Sequence, residues 1–348
     1  LSYSQPFTSY NEMKWRKKME PKEYERAKRI YCESIESIAI RVASLYFAAI
    51  SAQSDYNQSV TKLKDLEDLY AMSQKRLSLG TITKGDLLQL ELSMLNAKVT
   101  RNEAQVKMND AFYDLFSYMR ISQDEKVILL PPENVIEQVL NVNEVLQKAM
   151  NNSSHAIGQD LDLLSAQQNL VKAKAAQGIQ MQLNAEVGFN RTADGFASAY
   201  SHLQDNEIIG LTISVPIFDW GVKKGRVMVA KSNLELAKTK KEQADNDYVQ
   251  SIKREVMQFS LQAEQCRTSK RAQKISEERY EITKKRFETG NVSVTELNTA
   301  LQELETAKAQ YIGQLQSYWN YYYTLRKFTL YDWVEHRDLI ADFEALVK

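Results

Sequence analysis

Proline is absent from residues 22–130 and again from 217–348. Proline locks φ and removes a backbone donor, so it is the strongest chemical stop signal for a helix. Spans this long without it allow helices well beyond the ordinary length. Glycine adds few breaks, with 11 residues in a chain of 348. Average usage would put Gly and Pro together near ~12% of a chain. A doubly wound α/β enzyme is excluded on this ground, because it needs a turn roughly every ten to fifteen residues.

Charge is balanced, with 45 Lys+Arg against 45 Asp+Glu. A generic nucleic-acid binder carries a basic excess, so no nucleic-acid partner is expected. Hydrophobic content of 43% and charged content of 26% belong to a chain that folds. Cys32 and Cys266 sit far apart inside helical patterns and read as two buried thiols, with one disulfide as the alternative. His155, His202 and His336 show no metal-ligand spacing, so neither a metal nor a cofactor is expected. No run of 18 apolar residues marks a transmembrane helix, and no signal peptide is visible. The opening Leu1-Ser2-Tyr3-Ser4-Gln5-Pro6-Phe7 reads as mid-strand, hence as a fragment or processed chain.

An internal repeat organises the rest. Residues 1–7 align with Leu211-Thr212-Ile213-Ser214-Val215-Pro216-Ile217 at an offset of 210. The same offset pairs Arg76 with Arg286, Gly80 with Gly290, Asp86 with Glu296 and Leu87 with Leu297. Each copy has one plan: a strand ending near Pro, a long helix, a glycine break and a second long helix. Repeat one covers 1–120, with a strand over 1–10 and helices over 22–79 and 84–119. A linker with a helix follows over 121–182. Repeat two covers 183–327, with strands over 183–190 and 208–218 and helices over 226–289 and 294–326. A C-terminal segment, 328–348, completes the chain. The first helix of each pair would span on the order of 90 Å, too long for one globular core to enclose.

Both second helices carry seams of spacing four and three, the 3.5-residue repeat of coiled-coil packing. One runs Leu88, Leu92, Leu95, Val99, Asn102, Val106, Asn109, Tyr113 and Phe116. The other runs Leu297, Leu301, Leu304, Lys308, Tyr311, Leu315, Tyr318, Tyr322 and Leu325. The strand candidates alternate strictly: Leu183, Ala185, Val187 and Phe189 on one face, Asn184, Glu186, Gly188 and Asn190 on the other. Their length of about nine residues suits a tilted transmembrane β-strand, and also an amphipathic sheet on a soluble core.

At this point the residues resemble the TolC-like outer-membrane efflux proteins. Residues 211–221, ending Phe218-Asp219-Trp220-Gly221, look like the family's strand running into its long helix. Arg286-Phe287-Glu288-Thr289-Gly290 through Glu296-Leu297 looks like a periplasmic helix tip, and Arg76 through Leu88 like the other. The resemblance implies a mainly α fold with a small β part. Long antiparallel hairpins would form a periplasmic α-barrel below an outer-membrane β-barrel in a trimeric tube. Segments 134–176 and 328–347 would form an equatorial belt. Only three of the family's four strands are present, so the first would lie upstream of Leu1.

The resemblance also implies sites. Leu79, Gly80, Thr81, Thr289, Gly290 and Asn291 would meet a periplasmic membrane-fusion adaptor. Asp86 and Glu296 would ring the periplasmic entrance with carboxylate, favouring cations. Thr299 stands where the family has a further acid, and Phe287 lacks the hydroxyl of the usual aromatic. Thr83-x-x-Asp86 and Ser293-x-x-Glu296 read equally as capping boxes. Lys14, Trp15, Arg16, Lys17 and Lys18, with Trp220, Lys223, Lys224 and Arg226, would lie at the membrane interface and engage outer-membrane lipid, or form solvated helix faces. No enzyme signature appears. The expected function is the exit duct of a tripartite drug efflux system in a Gram-negative outer membrane, extending into the periplasm. An inner-membrane exporter of RND or ABC type would supply the energy. A type I protein secretion duct and a soluble coiled-coil scaffold are the alternatives.

Overall fold

The computed structural model describes residues 2–6, 10–80, 82–122, 127–132, 135, 140–190, 204–215 and 217–339. In chain order the elements are β1 (Ser2–Pro6), α1 (Glu12–Ser78), α2 (Lys84–Met119), α3 (Val142–Asn152), α4 (Ser154–Gln177), β2 (Gln180–Asn190), β3 (Gln204–Ser214), α5 (Val222–Glu288), α6 (Val294–Thr329), β4 (Tyr331–Asp332) and β5 (Arg337–Asp338). The described residues fall into two compact units, one within Leu1–Ile30 and Met150–Gln250, the other within Tyr31–Ala149 and Ser251–Asp342.

The first unit holds an antiparallel sheet in the order β1-β2-β3. Directly opposed residues share a face. The register sets Leu183 opposite Leu211 and Ala185 opposite Ile209, so the apolar positions of both strands stand together. The opposite face is polar and bonded across strands. Gln182 Nε2 donates to Ser4 Oγ at 2.6 Å, Ser4 Oγ to Asn184 Oδ1 at 3.1 Å, and Asn184 Nδ2 to Thr212 Oγ1 at 3.3 Å. The apolar face is bare: Ile209 is 80% exposed, and Leu211 and Ile213 are exposed as well. Beside the sheet, Arg29 Nη1 donates to the carbonyls of Asn151 and Ser153, which ties α1 to the α3–α4 junction. His155 stacks on Tyr248 at 4.0 Å and approaches Asp245 at 3.0 Å.

The second unit is packed helix on helix. Its main core joins Leu66 and Leu69 of α1, Leu90 and Ala97 of α2, Tyr280 and Phe287 of α5, and Val294, Leu297, Ala300 and Leu304 of α6. Burying a large apolar side chain contributes roughly 1.5–3 kcal/mol, so this stripe is the main stabilising term. Polar ties fix the register of the helices. Asp65 accepts from Tyr280 Oη and Lys284 Nζ, both at 2.7 Å, and Lys62 Nζ reaches Glu305 at 3.1 Å. Segment 127–131 is pinned by Gln53, whose amide donates to Leu129 O at 2.8 Å and accepts from Leu129 N at 2.9 Å.

Several expectations need correction. Helix α1 starts at Glu12, not 22, and carries Pro21 inside it. The start signal is Asn11, whose Oδ1 accepts from Lys14 N at 3.0 Å; Pro21 removes one helical bond without ending the helix. Helix α5 starts at Val222, not 226, because Asp219 caps it, and α6 runs to Thr329, not 326. Strand β1 is described over Ser2–Pro6 only, β2 begins earlier, at Gln180, and β3 spans Gln204–Ser214. Pro216 lies outside the described residues. The α2 seam is also different. Leu88, Leu92, Leu95, Val99, Val106 and Tyr113 are exposed, Phe116 at the end of the seam is buried, and the other buried residues are Leu90, Ala97, Ala104 and Leu115. Small residues permit the closer helix contact, so the larger stripe is left facing outward. Finally, α1 does contain one 18-residue window long and apolar enough to cross a membrane. Of that window 22% is buried, and Phe47, Ala49 and Ile50 are among the residues that pack inward.

Both cysteines are free and buried, and burial pushes the Cys266 thiol up to about 11, which leaves it unreactive.

Candidate functional site

The two helix breaks are built alike at the backbone. Gly80 and Gly290 adopt φ of +71° and +82°, the left-handed region that glycine enters without steric cost. At the second tip Gly290 N donates to Phe287 O and Asn291 N to Arg286 O, each at 2.9 Å. This pair of bonds is the Schellman ending, which satisfies carbonyls the helix would leave unpaired. Thr289 Oγ1 adds a bond to Arg286 O at 2.9 Å, and Asn291 Nδ2 donates back to Thr289 Oγ1 at 2.8 Å. At the first tip Gly80 N donates to Leu77 O at 2.9 Å, and Leu79 is 76% exposed. Thr81 lies outside the described residues.

The acidic pair behaves unequally. Asp86 completes a capping box: its N–H donates to Thr83 Oγ1 at 3.1 Å, and its Oδ2 accepts from Thr83 N at 3.1 Å and Thr83 Oγ1 at 2.7 Å. Those hydroxyl and backbone donors hold the Asp86 carboxyl below the usual carboxylate range. Glu296 N donates to Ser293 Oγ at 3.2 Å, but its carboxylate turns to Arg286, 3.9 Å away. An exposed pair at that distance is weak, so Glu296 is the freer charge. The Thr299 hydroxyl is spent on its own helix, donating to Thr295 O at 2.9 Å.

In the first unit the interface candidates sit on the first turns of α1 and α5. Lys18 Nζ lies 5.4 Å from the Trp15 ring, and Arg16 pairs with Glu20 at 3.1 Å. Trp220 is 87% exposed and packs edge-on against Phe218 at 4.5 Å. Asp219 accepts from Gly221 N at 3.1 Å and from Lys223 N at 2.9 Å, which caps α5 just before Lys223, Lys224 and Arg226.

The sequence model of outer membrane efflux proteins matches residues 146–329, more than half of the chain. The chain belongs to the outer membrane efflux protein family. Solved structures share the fold. The CmeC outer membrane channel of Campylobacter jejuni matches with a TM-score of 0.74 at 15% identity, covering 99% of this chain and 72% of that one. The open state of the MtrE outer membrane channel of Neisseria gonorrhoeae matches at 0.71 and 16%, covering 97% and 75%. The outer membrane protein VceC of Vibrio cholerae matches at 0.72 and 14%, covering 94% and 77%. No curated protein sequence matches this one. Family membership places this efflux protein in the outer membrane, and its fold is that of outer-membrane channels. Outer-membrane efflux is therefore its general work.

Two features of this efflux protein escaped sequence reasoning. The Arg76 guanidinium reaches across from the first tip and donates to Phe287 O at 3.3 Å, covering Gly290. Its register match with Arg286 was visible in the sequence, but its crossing to the other tip was not. The second is a buried charge triad, Glu36–Arg326–Asp332. Arg326 Nη2 meets Glu36 Oε1 at 3.0 Å and Nη1 meets Asp332 Oδ2 at 3.1 Å. Nothing local marks Glu36, one glutamate among many on a long helix.

Proposed function

We propose that this efflux protein is the exit duct of a tripartite drug efflux system, working as a homotrimer. The observation that carries the reading is a pair of bare apolar stripes in the helical unit. On α2, Leu88, Leu92, Leu95, Val99, Val106 and Tyr113 are each half or more exposed. On α5, Met257, Leu261, Ile275 and Ile282 are as well. Two unlike stripes on one chain make a head-to-tail contact between copies, and such contacts close into a ring when the rotation allows. The sheet supports the same assembly. Among the described residues strands β1 and β3 are its edges, and lipid tolerates no open edge, so further strands, those of other copies among them, would close the wall with the apolar face outward. The equal spacing of helix starts and ends, Glu12 to Val222 and Met119 to Thr329, supports an internal duplication that would build such a ring from like hairpins.

In this reading the glycine tips meet a periplasmic membrane-fusion adaptor, and an inner-membrane exporter of RND or ABC type supplies the energy. Segments α3–α4 and β4–β5 form the equatorial belt. The duct itself is passive. Leu92→Glu with Val99→Glu places charge in the α2 stripe without touching the internal core. Detergent-solubilised protein should then run as a monomer by light scattering; a variant that keeps the trimer mass overturns the assembly. A soluble scaffold, by contrast, would stay in solution without detergent.

Glu296 supplies a narrower test. As the less engaged carboxylate, it would dominate a threefold ring of charge at the entrance. Glu296→Gln in planar bilayers should lower the cation preference, whereas Asp86→Asn, which keeps an acceptor oxygen for Thr83, should chiefly loosen the α2 capping box. Unchanged selectivity in Glu296→Gln removes that residue from the filter.

A further inference from the structure

We infer that the first turns of α1 and α5 form a binding surface for anionic phospholipid headgroups; the inference rests on the outer-membrane reading above. In β3 and its exit, Ile209, Leu211, Ile213, Val215 and Ile217 are exposed apolar residues. Next come Phe218 and Trp220, an exposed aromatic pair in edge contact. Then come Lys223, Lys224 and Arg226. Apolar, aromatic, cationic is the depth profile of one membrane leaflet: hydrocarbon, interface, phosphate. The exit from β1 is looser, with Tyr3 exposed on the sheet, then Tyr10, then Trp15 set among Lys14, Lys17 and Lys18.

Folding gives no reason for these cations. Positive charge in the first turn opposes the helix dipole. Both helix starts already have their acceptors, Asn11 for α1 and Asp219 for α5. Among the described residues no carboxylate pairs with the side chains of Lys14, Lys17, Lys223, Lys224 or Arg226. The capped backbone leaves the anion to the side chains alone. Two clusters per chain would give six around a trimer, a cationic collar just beneath the lipid-facing sheet.

The experiment reconstitutes the full chain into vesicles of phosphatidylcholine, alone or mixed with phosphatidylglycerol. Insertion is read by flotation, and retained phosphatidylglycerol by native mass spectrometry. The variant changes Lys14, Lys17, Lys223, Lys224 and Arg226 to Gln. It should insert as the wild type does but retain phosphatidylglycerol at a level lower by an order of magnitude or more, since each cation near an anionic surface contributes substantially. High salt should strip the same enrichment from the wild-type protein, which gives an answer even if the variant fails to fold. Equal retention, or enrichment insensitive to salt, overturns the inference and leaves the duct reading standing. A wild-type protein that floats with neither vesicle overturns the outer-membrane reading, and the lipid surface with it.

Discussion

Replacing Arg326 by Met is expected to destabilise the protein by about 3–5 kcal/mol, the cost of stranding buried charge that has lost its partner. Arg326 bridges Glu36 of α1 and Asp332 of β4, so its loss leaves two carboxylates, each about 5% exposed, with no cation between them. Asp332 keeps other donors: Tyr322 Oη at 2.8 Å, Val334 N at 2.9 Å and Glu335 N at 3.1 Å. Glu36 is the group left exposed to the full penalty. The triad also clamps the β4–β5 hairpin, which Lys148 holds from α3 through Asp338 at 2.9 Å and the Tyr331 ring at 4.1 Å.

The pH dependence has two opposite arms. Burial pushes the Glu36 carboxyl above its ordinary value, although Arg326 pulls it down. An acid raised in the folded state favours folding at low pH, and that contribution is lost as pH climbs from the ordinary value through the raised one. Burial also works upward on Asp332, but the Glu335 and Val334 amides, the Tyr322 hydroxyl and Arg326 outweigh it and hold the carboxyl below its ordinary value. Its contribution is present at neutral pH and lost as pH falls through that lowered value. Thermal unfolding followed across pH should show Arg326→Met losing most at neutral pH and recovering as Glu36 protonates. A uniform loss at every pH would mean that Arg326 acts by packing and not by charge.

The double substitution Gly80→Trp, Gly290→Trp should abolish efflux while the trimer survives. Both positions sit at positive φ, where an L residue costs roughly 1–2 kcal/mol, so some local loss is expected at each tip. The two sites then separate. A Cβ on Gly80 would meet nothing within 4 Å, so the indole there projects into open space and blocks only an incoming partner. A Cβ on Gly290 would lie 2.6 Å from Arg76 Nη2, so the guanidinium that bonds Phe287 O must shift. Gly80→Trp alone is therefore the cleaner probe of docking, and Gly290→Trp tests docking together with the link between tips. Drug susceptibility in cells and the mass of the purified protein report the two properties independently. Undiminished efflux in the double variant would sink the adaptor contact.

Much of this molecule is written in local chemistry. Thr83 and Ser293 announce the starts of α2 and α6, because an N-cap needs only a hydroxyl three residues from its amide. Gly80 and Gly290 mark the turns, because only glycine enters the left-handed region without strain. The alternation of β2 and β3 specifies which residues share a face, since a one-residue slip would reverse every side chain. The start of α1 is not legible in the same way, because Pro21 is a strong local stop signal that a helix already capped at Asn11 tolerates.

What remained belonged to tertiary structure. Two stripes of the same 3.5-residue period run along α2, and periodicity alone favoured the one with larger side chains. The fold buried Leu90, Ala97 and Ala104 instead and left Leu92 and Val99 outside. Period states how often a helix presents a face; it does not state which neighbour that face meets. The same holds for Arg76 at the second tip and for Glu36 beside Arg326. Their partners lie more than two hundred residues away along the chain, and only packing the helices side by side brings those charges within bonding distance.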